Sequence, residues 1–205
     1  MSLGIVLVIK SDLGSAPWDV LHIGLTKQFG LTIGTWTIII GILVLSSSSI
    51  LERAFPKLGA FLNMLFVGLF VDMYMLIPWL KTPATMLGQL VMLSFGIIIL
   101  GYGMAFYISA NRGAGPRDSL MLVLMKKTNI KVQWIRFFME IIVLSVGWAL
   151  GGTVGIGTII FCLAIGHLTG FALPQCQKIT NQWVNPKRSK VVDTRNNVSE
   201  ENFML

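Results

Sequence analysis

Charge is scarce in this chain. Lysine, arginine, aspartate and glutamate make up 12% of its 205 residues, against about 25% in soluble globular domains, and the mean hydropathy of +0.75 excludes an ordinary water-soluble fold. Cysteine is nearly absent. Cys162 lies in an apolar run and Cys176 just past its end, and two thiols without metal-ligand spacing exclude a disulfide framework or a metal site. The two histidines, His22 and His167, stand alone. There is no His-Glu-x-x-His, no Gly-x-Ser-x-Gly, no Walker loop and no dinucleotide fingerprint, so the expectation is a protein that is not an enzyme and uses no cofactor. The net charge of +7 is not gathered into a basic stripe interleaved with aromatics. Its basic residues sit at the ends of apolar runs, which excludes a nucleic-acid partner and reads as membrane orientation.

What the chain has is apolar length. A helix needs about 20 mostly apolar residues to cross roughly 30 Å of hydrocarbon, and the runs at about 32–51, 57–77, 86–109, 131–149 and 155–174 meet that length. The lipid bilayer is therefore its first partner. A sixth run, residues 3–10, is half a span. No cleavable leader pattern precedes it.

Shifted by 99 positions, the chain repeats. Gly14-Ser15-Ala16-Pro17-Trp18-Asp19-Val20-Leu21 falls on Gly113-Ala114-Gly115-Pro116-Arg117-Asp118-Ser119-Leu120, and at a shift of 98 Gly59 falls on Gly157 and Gly68 on Gly166. Two units, 1–77 and 86–174, fill the chain up to a polar tail at 176–205. A period this long is a duplicated domain half. Gly4 falls on Gly103, inside the 86–109 run, so the first span is expected to be truncated.

Each unit carries a Pro-x-Asp segment, 17–29 and 116–129, with a proline where a helix would begin and too few residues to cross. Both are expected as re-entrant or interfacial half-helices. Each unit then has three spans, and an odd number inverts the second copy. With both termini inside, thirteen Lys and Arg residues fall on the inner side and only Lys10, Lys27 and Lys81 on the outer. The expected fold is an all-α polytopic membrane protein of two inverted three-span repeats, with both termini cytoplasmic.

The Gly-x-x-Pro-Trp-Asp-Val-Leu-His-x-Gly-Leu string at 14–25, Gly-Thr-Trp at 34–36, Asn63 and Asp72, Gly-Ala-Gly-Pro-Arg-Asp at 113–118 and Gly-Gly-x-Val-Gly-Ile-Gly-Thr at 151–158 resemble the YczE branch of the YczE/YyaS/YitT membrane proteins. The resemblance covers about residues 4–174 and implies a bacterial cytoplasmic membrane protein with two similar halves.

The half-helix starts, at Gly14 and Pro17 and at Gly113, Gly115 and Pro116, are the leading site candidates. A helix beginning inside a membrane offers unpaired N–H groups and a positive dipole end to an anion. Asp19 and Asp118 either cap these helices or touch a solute, and Arg117, standing where the first copy has Trp18, adds a cation on one side. Glu140 lies about 13 Å into its span at 1.5 Å per residue, where Arg136 at i−4 would neutralise it and His167 would be an alternative, proton-relaying partner. Asn63 and Asp72 either bond neighbouring helices or belong to the site. The function expected is a secondary transporter or exporter of a small polar or anionic solute bound between the repeats, with a homodimer as a natural assembly. The alternative is an accessory, assembly or regulatory protein for another complex.

Overall fold

The computed structural model describes residues 1–53, 55, 58–109 and 115–184. Gly113, Ala114 and the tail from 185 onward lie outside the described residues. The described chain is all-helical: α1 (Ser2–Lys10), α2 (Pro17–Phe29), α3 (Ile33–Glu52), α4 (Leu58–Met75), α5 (Met86–Ser109), α6 (Pro116–Thr128), α7 (Val132–Ala149) and α8 (Ile156–Val184). Four of these, α3, α4, α5 and α8, are long and apolar enough to cross a membrane. The run expected at 131–149 is α7, with Arg136 and Glu140 in its first half.

Local chemistry sets the short helices. α2 and α6 each begin with proline at the first helical position, where a missing N–H is harmless, after an extended Ala16 or Gly115. α2 stops at Gly30, whose φ of +73° suits glycine, and α6 stops at Asn129 in the left-handed region. Thr32 then caps α3 by accepting from the Thr35 N–H at 3.1 Å.

α1 is short but is the most enclosed element. Val6 and Val8 are fully buried, packing with Leu93, Ile97 and Leu100 of α5, Val71 of α4, and Phe161 and Ile165 of α8. α1 and α5 run antiparallel: Met1 sits against Gly103, Gly4 against Leu100 and Val8 against Gly96. Within the units α5 packs on α8 and α3 on α4, and two further contacts exchange partners between the units. α2 packs on α7 and α6 on α3. At their far ends Lys27 Nζ donates to the Gly151 carbonyl at 2.8 Å, while Lys126 Nζ pairs with Glu52 Oε1 at 2.7 Å. Positions 27 and 126 are equivalent at a shift of 99.

α8 extends past the apolar run into the first residues of the polar tail. It runs through Pro174 to Val184 because α5 holds the extension. Cys176 and Ala172 are buried against Ala105, Tyr102 Oη donates to Gln175 Oε1 at 3.3 Å, and the Ser109 and Thr180 hydroxyls lie 2.7 Å apart.

Candidate functional site

The first turns of α2 and α6 face one partly open cavity of about 180 Å³, lined also by α1, α3, α4, α5, α7 and α8. An engineered cavity of about 150 Å³ holds benzene, so the space suits a solute of similar size. Almost every lining residue is matched by its equivalent 98 or 99 positions along: Pro17 and Pro116, Trp18 and Arg117, Asp19 and Asp118, Thr37 and Arg136, Gly41 and Glu140, Asn63 and Phe161. The two copies meet at Trp18 and Arg117, where the guanidinium carbon lies 4.5 Å from the indole ring centre.

Duplication made the cavity and divergence charged it unevenly. The second copy supplies Arg117, Asp118, Arg136 and Glu140, where the first has Trp18, Asp19, Thr37 and Gly41. Five methionines, Met1, Met64, Met104, Met121 and Met139, make much of the apolar wall. Their flexible thioethers adapt to irregular shapes.

Neither half-helix receives a hydrogen bond from its N-cap side chain, and pyrrolidine replaces the first N–H of each, so the following N–H groups and the dipole ends face the cavity. Among the described residues no carboxylate oxygen lies within ion-pair distance of Arg117. Asp19, Asp118 and Glu140 attract it from further off, and Arg136 repels it. Arg117 is thus a stacked cation with hydrogen-bond donors to spare.

Arg136 Nε donates to Glu140 Oε1 at 2.9 Å across one turn of α7. The two side chains are partly exposed, at 47% and 31%, and removing one leaves the other without its partner inside an apolar span, whereas removing both does not. Glu140→Gln is therefore expected to lower the thermal unfolding midpoint in detergent, and Glu140→Gln with Arg136→Gln to recover most of the loss. Equal destabilisation by the single and double changes would show that the pair is not a unit.

Of the residues singled out in sequence, Pro17, Asp19, Asn63, Gly115, Pro116, Arg117, Asp118, Arg136 and Glu140 line the cavity. Gly14 stands behind it: at φ +110° it lies so close to Gly155 that a Cβ would fall 2.5 Å from the Gly155 nitrogen. Asp72 and His167 lie elsewhere. Asp72 binds the start of α3 from α4, accepting from the Gly34 N–H at 2.8 Å and the Thr32 hydroxyl, which is the neighbouring-helix role. His167 cannot partner Glu140. α8 turns Phe161 and Ile165 to the cavity, and two residues further round the helix His167 is exposed on the other side, its Nδ1 2.9 Å from the Leu163 carbonyl.

His22, Thr37 and Tyr107 were not singled out, yet they line the cavity. His22 is 1% exposed, with its Nδ1 3.8 Å from Asp19 Oδ1 and 3.1 Å from Thr37 Oγ1. Its i+3 spacing from Asp19 was the available signal, since it puts both on one helix face. The Tyr107 hydroxyl, beside Asn63, is shielded without a well-formed hydrogen bond.

Comparison with known proteins agrees with the resemblance read from the Pro-x-Asp segments. Residues 1–174 match DUF6198, a family of unknown function. The chain is 41% identical over 192 residues to the uncharacterized membrane protein YczE of Bacillus subtilis, covering 93% of this chain and 88% of that one. An uncharacterized protein of Haemophilus influenzae is 33% identical over 173 residues, 84% of this chain and 78% of its own. The uncharacterized protein YyaS of Bacillus subtilis is 29% identical over 177 residues, 85% and 87% of the two chains. No solved structure matches the chain.

Proposed function

The chain belongs to the family of unknown function DUF6198 and is a membrane protein, and on that premise we propose that it is a secondary transporter of a small polar or anionic solute, which binds in the central cavity rather than undergoing bond chemistry there. The observation that carries this reading is the convergence of two half-helix starts and Arg117, which has no ion-pair partner among the described residues, on one cavity between the copies. Each helix start presents roughly half a positive charge. A solute held there with its anionic group toward Arg117 would leave its apolar part against the methionines.

The two halves are inverted repeats about an axis in the membrane plane. Three features support that arrangement. The equivalent helices α1 and α5 cross antiparallel, which a twofold axis perpendicular to them produces. α5 is long enough to span, so such an axis lies parallel to the bilayer surface. The basic residues also segregate thirteen to three. Inversion is the architecture in which one fixed site can be reached from alternate faces by rocking one repeat against the other. The membrane is the bacterial cytoplasmic one, with both termini inside.

The half-helices make the arrangement testable. Each has 13 residues and so rises about 20 Å, enough to carry its end from the bilayer centre past a hydrocarbon boundary about 15 Å away. Cysteines at the exposed, equivalent positions Gln28 and Lys127, in a background lacking Cys162 and Cys176, are expected to react with an impermeant maleimide from opposite faces. Ser15 is a poor reporter because it is buried against Thr153. Labelling of both positions from one face would reject the inverted arrangement. Uptake into proteoliposomes, screened over amino acids, organic anions and peptides, tests transport itself, and no movement of any solute would favour an accessory role.

A further inference from the structure

One titratable cluster in the cavity is carried by a single half-helix. On α2, Asp19 and His22 are both buried, at 3% and 1% exposure, and both face the cavity. The Thr37 hydroxyl settles the hydrogen on the imidazole. Its oxygen lies 2.9 Å from the Ile33 carbonyl and 3.1 Å from His22 Nδ1. A hydroxyl has one proton, and the carbonyl can only accept it, so Thr37 has none to give the imidazole. Nδ1 therefore carries hydrogen and donates to Thr37 Oγ1. The neutral ring is fixed with its lone pair on Nε2, and the next proton to bind goes there.

The surroundings set what that proton experiences. Burial is the largest influence and disfavours the charged ring; against it, Asp19 Oδ1 on the same helix is 3.8 Å from Nδ1 and favours imidazolium. α3 contributes only the uncharged Thr37. α7 contributes the mutually paired Arg136 and Glu140, and from across the cavity α6 contributes Asp118 and Arg117, of which Arg117 opposes protonation. An imidazole with one tautomer selected, a carboxylate within ion-pair range and an arginine stacked on Trp18 in the same small cavity is a charge-regulated proton acceptor. Adding an anion beside Arg117 offsets the repulsive cation, so solute and proton favour each other's binding.

We propose that His22, held by Thr37 and charge-balanced by Asp19, is the proton-binding site of the central cavity and takes up its proton together with an anionic solute. The coupling part rests on the transporter reading, whereas the proton site itself stands independently of it. The proton adds to Nε2, turning imidazole into imidazolium, with no other bond made or broken.

Because the chain has only two histidines, His167→Gln leaves His22 as the sole imidazole. The full chain carrying that change, labelled with nitrogen-15 at the imidazole and held in lipid nanodiscs, is titrated by NMR between about pH 5 and 8, the window in which histidine changes charge. Nδ1 is expected to stay protonated throughout and Nε2 to gain its proton toward the acid end of the window, because burial holds the ring below the ordinary histidine range. Asp19→Asn should lower the midpoint and Arg117→Gln should raise it, each by about one unit or more. Thr37→Val should release the tautomer, giving a mixture at high pH. A His22 that remains neutral over the whole window in the parent and in Arg117→Gln, with helical circular dichroism intact, overturns the proposal. So does a midpoint indifferent to both Asp19 and Arg117. A normal His22 titration in a protein that moves no solute would leave the proton site standing and reject the transporter reading instead.

Discussion

Arg117→Gln is expected to reduce uptake of the best-transported anion by about 10- to 100-fold in proteoliposomes, with the folded protein recovered in normal yield. The size follows from a hydrogen-bonded charged group contributing about 1.5–3 kcal/mol, where each 1.4 kcal/mol is about tenfold in affinity. The selectivity of the loss follows from geometry. Arg117 stacks on Trp18 and holds no acid among the described residues within ion-pair distance, so its removal strands no carboxylate partner. Arg117→Lys should keep part of the activity, because the charge stays while the planar fork and the stacking are lost. Uptake of neutral solutes, if any are carried, should fall much less. Unchanged anion uptake by Arg117→Gln would remove the arginine from the site.

Much of this cavity was legible in sequence because it is built from a repeat. Gly-x-x-Pro-x-Asp recurring at a shift of 99 exposed two helix starts with acids, and the structure brings both to one place. Glu140 was matched to Arg136 from i,i+4 spacing alone, and the pair forms. Depth along a span could also be counted, but rotation about a helix could not. Asn63 and Asp72, nine residues apart on α4, fall on opposite faces of that helix, but which face meets the cavity and which meets the start of α3 depends on how α4 is turned in the bundle. His167 and Glu140 were matched in depth and face different surroundings. The first histidine was missed for a related reason: its partner Thr37 comes from the next helix, across a turn whose geometry depends on Gly30. The continuation of α8 into the polar residues was not legible, because Pro174 and the polar residues after it look like an exit from the helix. Contacts to α5 keep them helical.

Small-residue spacing shows the same limit and yields the second large effect. Gly30-x-x-x-Gly34, Gly147-x-x-x-Gly151 and Gly166-x-x-x-Gly170 are indistinguishable as patterns, but only some of these glycines touch another helix. A Cβ on Gly34 would stand 2.1 Å from the Gly68 carbonyl oxygen and 2.5 Å from the Asp72 carboxyl carbon, whereas Cβ atoms on Gly166 and Gly170 would meet nothing within 4 Å. Gly34→Ala must therefore push α3 off α4 and lengthen the hydrogen bond from its N–H to Asp72. Overpacking alone costs about 1–3 kcal/mol, and weakening a bond to a carboxylate adds to it. A loss of about 3 kcal/mol or more is expected, read as a shift in the detergent-unfolding midpoint, with much of the protein recovered unfolded. Gly166→Ala and Gly170→Ala should stay within about 0.5 kcal/mol of the parent, as open positions do. If Gly34→Ala unfolds like the parent, α3 and α4 are not in backbone contact. If Gly166→Ala is instead the damaging change, that face of α8 is covered by protein in the membrane, and the assembly is a homodimer or a larger complex.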